Sequence, residues 1–181
     1  EDGTCIVIRP VEGEIHKVVR VTQAKILDPQ GRFLIQLASF SEDTVHVAVQ
    51  FPEIQQLPRQ SAADALVQFF DDHFPFAAYT FDELRRDCHV TDGFPVATST
   101  LRTLVVVDVD DPSTVGREVD TTLPSVLGGE TFGKVCVVPG PSEGSLSVVY
   151  RWCDEQEFAF LTGYTGAQKV ETAVRSVIAC L

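Results

Sequence analysis

The sequence predicts an α+β protein, with antiparallel β-meander sheets and helices packed on them. Three observations carry the prediction. β-branched runs broken by Pro, Gly and Asp fill the first fifty residues. Two stretches, 61–73 and 166–180, space their apolar residues as amphipathic helices do. A composition of 44% apolar and 22% charged residues over 181 positions is that of a packed protein.

The elements follow in order. Strands are expected at 4–9, 14–22, 24–27, 32–39 and 44–51, because "EG" at 12–13, "DPQG" at 28–31 and "SED" at 41–43 supply the turns between them. In the last of these strands Val45, Val47, Val49 and Phe51 share one face by period two. Ser61 with Asp64 three residues on starts a helix at 61–73, which places Ala62, Leu66, Phe69, Phe70 and His73 near one side. Thr80 and Glu83 repeat the capping pattern and predict a second, short helix over "FDELRRD". The Gly-, Pro- and hydroxyl-containing stretch 88–99 reads as a linker between a half at 1–87 and a half at 100–181. The second half offers a strand at 100–109, an irregular segment at 110–132, and strands at 133–139, 145–152 and 157–164. It closes on the helix at 166–180, with Val170, Val174, Val177, Ile178 and Leu181 on one face. Each half runs from strands into a helix, so a duplication of topology is the corresponding expectation.

Charge narrows the partners. Fourteen basic against 26 acidic residues give a formal charge of −12, the wrong sign for a phosphate-backbone binder or for anionic lipid. No apolar run approaches the roughly 20 residues that span a bilayer. Nucleic acid and membrane contact are therefore not expected. The five cysteines, Cys5, Cys88, Cys136, Cys153 and Cys180, are far apart and form no C-x-x-C pair, so neither structural zinc nor any other cofactor is expected. Reduced thiols of an intracellular protein account for them, with an extracellular chain holding two disulfides as the alternative. The chain contains no Met and opens on Glu1, which suggests a piece cut from a longer protein.

Three motifs invite catalytic readings. "VVVDVDDPST" resembles the opening motif of haloacid-dehalogenase-like phosphatases, where the first Asp attacks phosphorus and the second protonates the leaving group. Asp108 and Asp110 would hold those roles here, yet Pro112 stands where that family has Thr or Val. Only Lys134 and Lys169 follow, with no acidic pair to hold magnesium. "EVDTTLPSVLGG" echoes an aspartic-protease signature around Asp120, but no second copy exists in the chain. Cys88 and His89 are adjacent, and neighbours in sequence point apart. His16, His46 and His73 lack metal-ligand spacing, and no phosphate-binding glycine motif is present. A strand end running into a Pro-initiated turn explains Asp108, Asp110 and Asp111.

The last segment, "SLSVVYRWCDEQEFAFLTGYTGAQKVETAVRSVIACL", is similar to the end of a polo box: a Val-Val-Tyr strand, an acidic turn, a second aromatic strand and a long amphipathic helix. The resemblance covers the topology of the whole chain and the sequence of its last third. It implies a non-catalytic targeting or dimerisation module of a kinase-like or scaffold protein. Phosphopeptide-binding members use a His and a Lys two apart in the second box, whereas His16-Lys17 are adjacent and lie in the first half, so phosphate recognition is not carried over. A second resemblance, to the soluble domain of an apicomplexan immune-mapped protein, implies a membrane-associated parasite antigen and is carried by no motif. The functional expectation is protein–protein interaction or self-association, with Phe74, Phe76, Tyr79, Trp152 and Phe158 as interface candidates. A hydrolase built on Asp108/Asp110 or Cys88 is the competing class, and an apolar pocket lined by Phe69, Phe70 and Phe160 is a third.

Overall fold

A computed structural model describes residues 5–8, 16–42, 44–91, 97–124, 130–142 and 144–181. The α+β class is as predicted. In chain order the elements are β1 (Cys5–Ile8), β2 (His16–Leu27), β3 (Phe33–Phe40), β4 (Val45–Gln50), β5 (Glu53–Gln55), α1 (Ala62–His73), β6 (Tyr79–Thr91) and β7 (Ala97–Val109). A 3₁₀ turn at Pro112–Thr114 leads to β8 (Arg117–Pro124), β9 (Glu130–Val138), β10 (Ser147–Cys153), α2 (Glu155–Thr162) and α3 (Tyr164–Ile178).

The strands form one sheet, ordered β6-β7-β2-β3-β10-β9-β8, with β1 and β5 alongside β2 and β4 alongside β3. β2 and β7 run parallel, in register from His16↔Ala97 to Leu27↔Asp108, and the other pairs are antiparallel. β2 and β3 meet only at Leu27↔Phe33. Beyond that pair they part, and β1 and β5 occupy the edge of β2 while β4 occupies the edge of β3.

The turn at the meeting point is built by Asp28. Its carboxylate accepts from the backbone N–H of Gln30 and of Arg32, both at 2.9 Å, and from Arg32 Nε at 2.8 Å. Gly31 donates to the Asp28 carbonyl at φ +76°, a conformation that costs a glycine little.

Strand β3 separates two apolar layers. Leu34 joins Ala24, Ile26, Val105, Val107, Tyr150 and the α1 residues Leu66, Phe69 and Phe70 in one core. Phe33, Ile35 and Leu37 join Val135, Val137, Val149 and the helical residues Leu161, Val170, Val174 and Val177 in the other. Alternate side chains leave a strand on opposite faces, so a strand covered on both sides reads as an unbroken apolar run. Residues 33–38 come close to such a run, with Gln36 the one polar position. Val45, Val47, Val49 and Phe51 pack on the second core, as their spacing predicts.

Helix α1 begins where the sequence places it. Asp64 N–H donates to Ser61 Oγ and Ser61 N–H to Asp64 Oδ2, each at 3.1 Å, and Ala62, Ala65, Leu66, Phe69 and Phe70 are buried.

Other expectations give way. "FDELRRD" is strand within β6: Tyr79 and Phe81 alternate with Thr80 and Asp82 and lie opposite Val109 and Val107 of β7, and this pairing outweighs the capping pattern. The expected strand 157–164 is largely helix α2, because Asp154 and Glu157 make a reciprocal cap (2.8 and 3.1 Å) and Leu161 turns inward. At Gly166 a Cβ would run into the Phe160 carbonyl, so only glycine lets α3 start so close to α2. The segment 110–132, read as irregular, contains the 3₁₀ turn, β8 and the start of β9. Leu181 lies past the end of α3, exposed.

The division expected at 88–99 falls across the consecutive antiparallel strands β6 and β7, which pair as far as Thr91↔Thr98, with 92–96 outside the described residues. Strands of both expected halves interleave, β2 with β7 and β3 with β10, in the one sheet. Among the described residues no helix is long and apolar enough to cross a membrane.

Two-sided burial of β3 makes a prediction. Leu34 and Ile35, neighbours facing opposite layers, are both fully buried. Leu34→Ala and Ile35→Ala are each expected to lower unfolding free energy by about 2–5 kcal/mol. Chemical denaturation of the two variants checks this, since a strand with one wet face would show one large loss and one small.

Candidate functional site

The carboxylates that invited catalytic readings are all exposed. Asp108 is exposed on β7, level with Leu27 of β2, and Asp110 is exposed where its N–H meets the Ala78 carbonyl at 3.1 Å. Asp111 turns back on its own chain: its carboxylate accepts from Ser113 N–H at 2.9 Å, and that hydrogen bonding holds its pKa below the usual carboxylate value. Asp120 lies within β8 opposite Lys134 of β9, inside a ladder rather than on a loop. Cys88 is exposed on β6 opposite Leu101, and the side chain of His89 is outside the described residues. His73 rests on the Phe69 ring, centroids 4.8 Å apart, and burial lowers its pKa. Among the described residues no group of three or more His, Cys, Asp or Glu side chains could hold a metal ion.

Beside the Pro112 turn lies a cleft of about 350 Å³ lined by charged residues that are remote in sequence. Arg32, Lys134 and Arg151 face it with Glu118, Glu157, Cys136 and Trp152. Each cation already has a carboxylate: Arg32 has Asp28 at 2.7 Å, Lys134 has Glu118, and Arg151 has Glu157. Three cations against the same number of carboxylates leave no net positive charge to attract an anion. The thiol beside them is held protonated. Burial pushes Cys136 up to about 12, with Glu118 adding to the shift, and burial does the same to Cys153. A thiol must ionise to attack. No local sequence signal assembles this cleft, because it exists only once Arg32, the 3₁₀ turn, β8, β9, β10 and α2 come together.

The five aromatic candidates separate by burial. Phe74 is 1% exposed, edge-on to Phe70 and Tyr150 at 5.5 and 5.7 Å, and belongs to the interior. Phe158 is half-buried and closes a three-ring cluster with Phe51 (5.0 Å) and Phe33 (5.5 Å). Trp152 is half-buried against the first core, its indole N–H buried with no acceptor among the described residues. Tyr79 stacks on Phe70 at 3.9 Å with part of its ring in solvent. Phe76, at 85%, is almost wholly exposed. The pocket expected from Phe69, Phe70 and Phe160 is not assembled: the first two are packed in one core, and Phe160 sits against the other.

A feature the sequence reading missed lies next to Phe76. β6 ends the sheet, and among the described residues it pairs with β7 alone. Phe81 on this strand is 37% exposed and stacks beside Tyr79 at 6.3 Å. Phe76, Tyr79 and Phe81 thus mark one end of an open strand edge. Assigning "FDELRRD" to a helix hid it, although the Tyr79/Phe81 alternation was the signal that could have shown it.

No protein-family model matches the chain, and no curated protein matches it significantly.

Burial of the thiols yields a direct test. At pH 8 a thiol with a pKa near 12 is ionised in about one molecule in ten thousand. Cys88 and Cys180, which are exposed, are expected to alkylate in the native protein, and Cys136 and Cys153 only after unfolding. Mass spectrometry of labelled peptides reads this. Both buried thiols have pKa values raised above the free value of 9.0, so their stabilising contribution is whole below that pH and is lost as pH climbs toward about 12.

Proposed function

We propose that this chain is a non-catalytic interaction module that takes an extended segment of another polypeptide along the Tyr79–Asp82 end of β6, the strand that ends the sheet among the described residues. The observation that carries the reading is Phe76, 85% exposed, three residues before a strand that among the described residues pairs with β7 alone. An edge strand offers a row of backbone donors and acceptors, and a segment laid along it gains about 0.5–1.5 kcal/mol for each hydrogen bond made. Covering the Phe76 ring adds roughly 1.5–3 kcal/mol, and the exposed flank of Phe81 supplies a second apolar contact. The charged stretch from Asp82 to Asp87 discourages indiscriminate pairing along the rest of the strand. The polo-box resemblance points to the same class of function, although the second strand it was read from is helix α2. Free thiols at Cys88, Cys136, Cys153 and Cys180 support an intracellular setting.

The immobilised chain is expected to retain a partner protein from an extract of its source cells, and amide exchange at 79–82 is expected to slow in the complex. Phe76→Ser combined with Phe81→Thr should weaken retention roughly 10- to 100-fold, the equivalent of the ring burial lost. Asp108→Asn should leave retention unchanged. Full retention by the aromatic double variant would overturn the reading, as would phosphoester hydrolysis that disappears in Asp108→Asn.

A further inference from the structure

The charged cleft beside the Pro112 turn is a fork in the sheet. β10 pairs with β9 only from Val148↔Val138 to Tyr150↔Cys136, then continues alongside β3 as far as Cys153↔Phe33. β9 meanwhile stays with β8 as far as Pro124↔Glu130. Arg151 and Trp152 therefore line one arm of the fork and Lys134 the other, joined by Glu118 from β8, Glu157 from α2 and Arg32 from the Asp28 turn. Burial apart, the Cys136 thiol senses the charges of Glu118, Lys134 and Arg32, and the Cys153 thiol those of Arg151, Glu157 and Arg32, so Arg32 is near both arms.

We propose that this fork binds a free α-amino acid with an apolar side chain, held by its carboxylate and its ammonium together. The site is separate from the edge of β6 and independent of what binds there.

The ion pairs around the fork leave particular atoms unused. Glu157 engages both oxygens, Oε1 with Arg151 Nη2 and Oε2 with the Asp154 N–H. Lys134 Nζ donates to Glu118 Oε2, and Glu118 Oε1 has no partner among the described residues. Arg32 meets Asp28 through Nε and Nη2, and Arg151 meets Glu157 through Nη2. A guanidinium carries five N–H donors. What remains is one carboxylate oxygen, on Glu118, and N–H groups on Nη1 of Arg32 and on Nε and Nη1 of Arg151. The Arg151 side chain is only 10% exposed and is anchored by Glu157, so its donors are held in place before any ligand arrives.

These atoms select a zwitterion. A bare anion or a bare cation gains little where the charges already balance. An amino acid brings no net charge, yet its carboxylate accepts from the two guanidiniums while its ammonium donates to Glu118 Oε1. A volume of about 350 Å³ stands at the small end of the roughly 300–1,000 Å³ of ligand pockets, which suits an amino acid better than a nucleotide. Pro112 and Trp152 supply apolar lining for the side chain.

Trp152 is the one tryptophan of the chain, so its fluorescence reports on the fork directly. Titration with L-leucine is expected to give a saturable change, matched by calorimetry, with a Kd in the micromolar to low-millimolar range. N-acetyl-leucine lacks the ammonium and leucinamide lacks the carboxylate, and each should bind at least about tenfold more weakly. Glu118→Gln should weaken leucine about tenfold and leave N-acetyl-leucine as it is in the wild type, whereas misfolding would weaken both. The Glu118–Lys134 pair is exposed, and such pairs contribute little to stability. Arg151→Lys should likewise weaken leucine and leave leucinamide unchanged. No saturable response to leucine at tens of millimolar would overturn the proposal. Equal affinity for the three compounds would do so too, as would undiminished leucine binding by Glu118→Gln.

Discussion

The architecture turns on a carboxylate that cannot be left alone. Asp28 is almost entirely buried, and a charge in that position is tolerated only when it is hydrogen-bonded and paired. It accepts two backbone N–H groups and the Arg32 side chain, and in doing so fixes the point where β2 ends and β3 begins. From that single shared pair the two strands diverge. Their divergence gives β1, β5 and β4 edges to occupy, and it lets β3 separate two cores instead of closing one.

An ordinary meander is what the sequence suggests, and the difference shows where local information stops. Runs such as 33–38 and 45–50 state their own conformation, because β-branched residues and nearby turn signals agree. The apolar faces of α1 and α3 are equally plain. Capping patterns are less decisive: three of similar form occur, at Ser61/Asp64, Thr80/Glu83 and Asp154/Glu157. The first and third cap helices, and the second lies in a strand because β7 is there to pair with it. Register against a strand distant in sequence cannot be read from eight residues. The same holds for the parallel β2–β7 pair and for β3 against β10, strands remote in sequence that lie side by side in one sheet.

The site was legible in part, for a related reason. Aromatic residues stand out in a sequence, but whether a ring is core or display depends on what lies over it. Phe74 and Phe76 are two positions apart, yet one is sealed among Phe69, Phe70 and Tyr150 while the other meets solvent. The charged cleft by Trp152 was invisible because its walls come from Arg32, the 3₁₀ turn, β8, β9, β10 and α2. Each of its cations is matched, so the cleft is a balanced electrostatic surface. Along Tyr79–Asp82, by contrast, β6 pairs with β7 alone among the described residues, and it begins three positions after Phe76, the most exposed aromatic ring among them.

The long-range pairings govern how the chain must be made. β2 finds its parallel partner β7 roughly eighty residues later in the sequence, and β3 waits more than a hundred for β10. At a synthesis rate of about 5–20 residues per second, the apolar run of β3 leaves the ribosome at least several seconds before the strand that will cover its flank. A nascent chain halted after α1 would therefore expose an incomplete sheet. Such an intermediate is the kind of surface that chaperones hold and that crowded ribosomes aggregate, so the yield of this fold is set by how quickly its last third arrives.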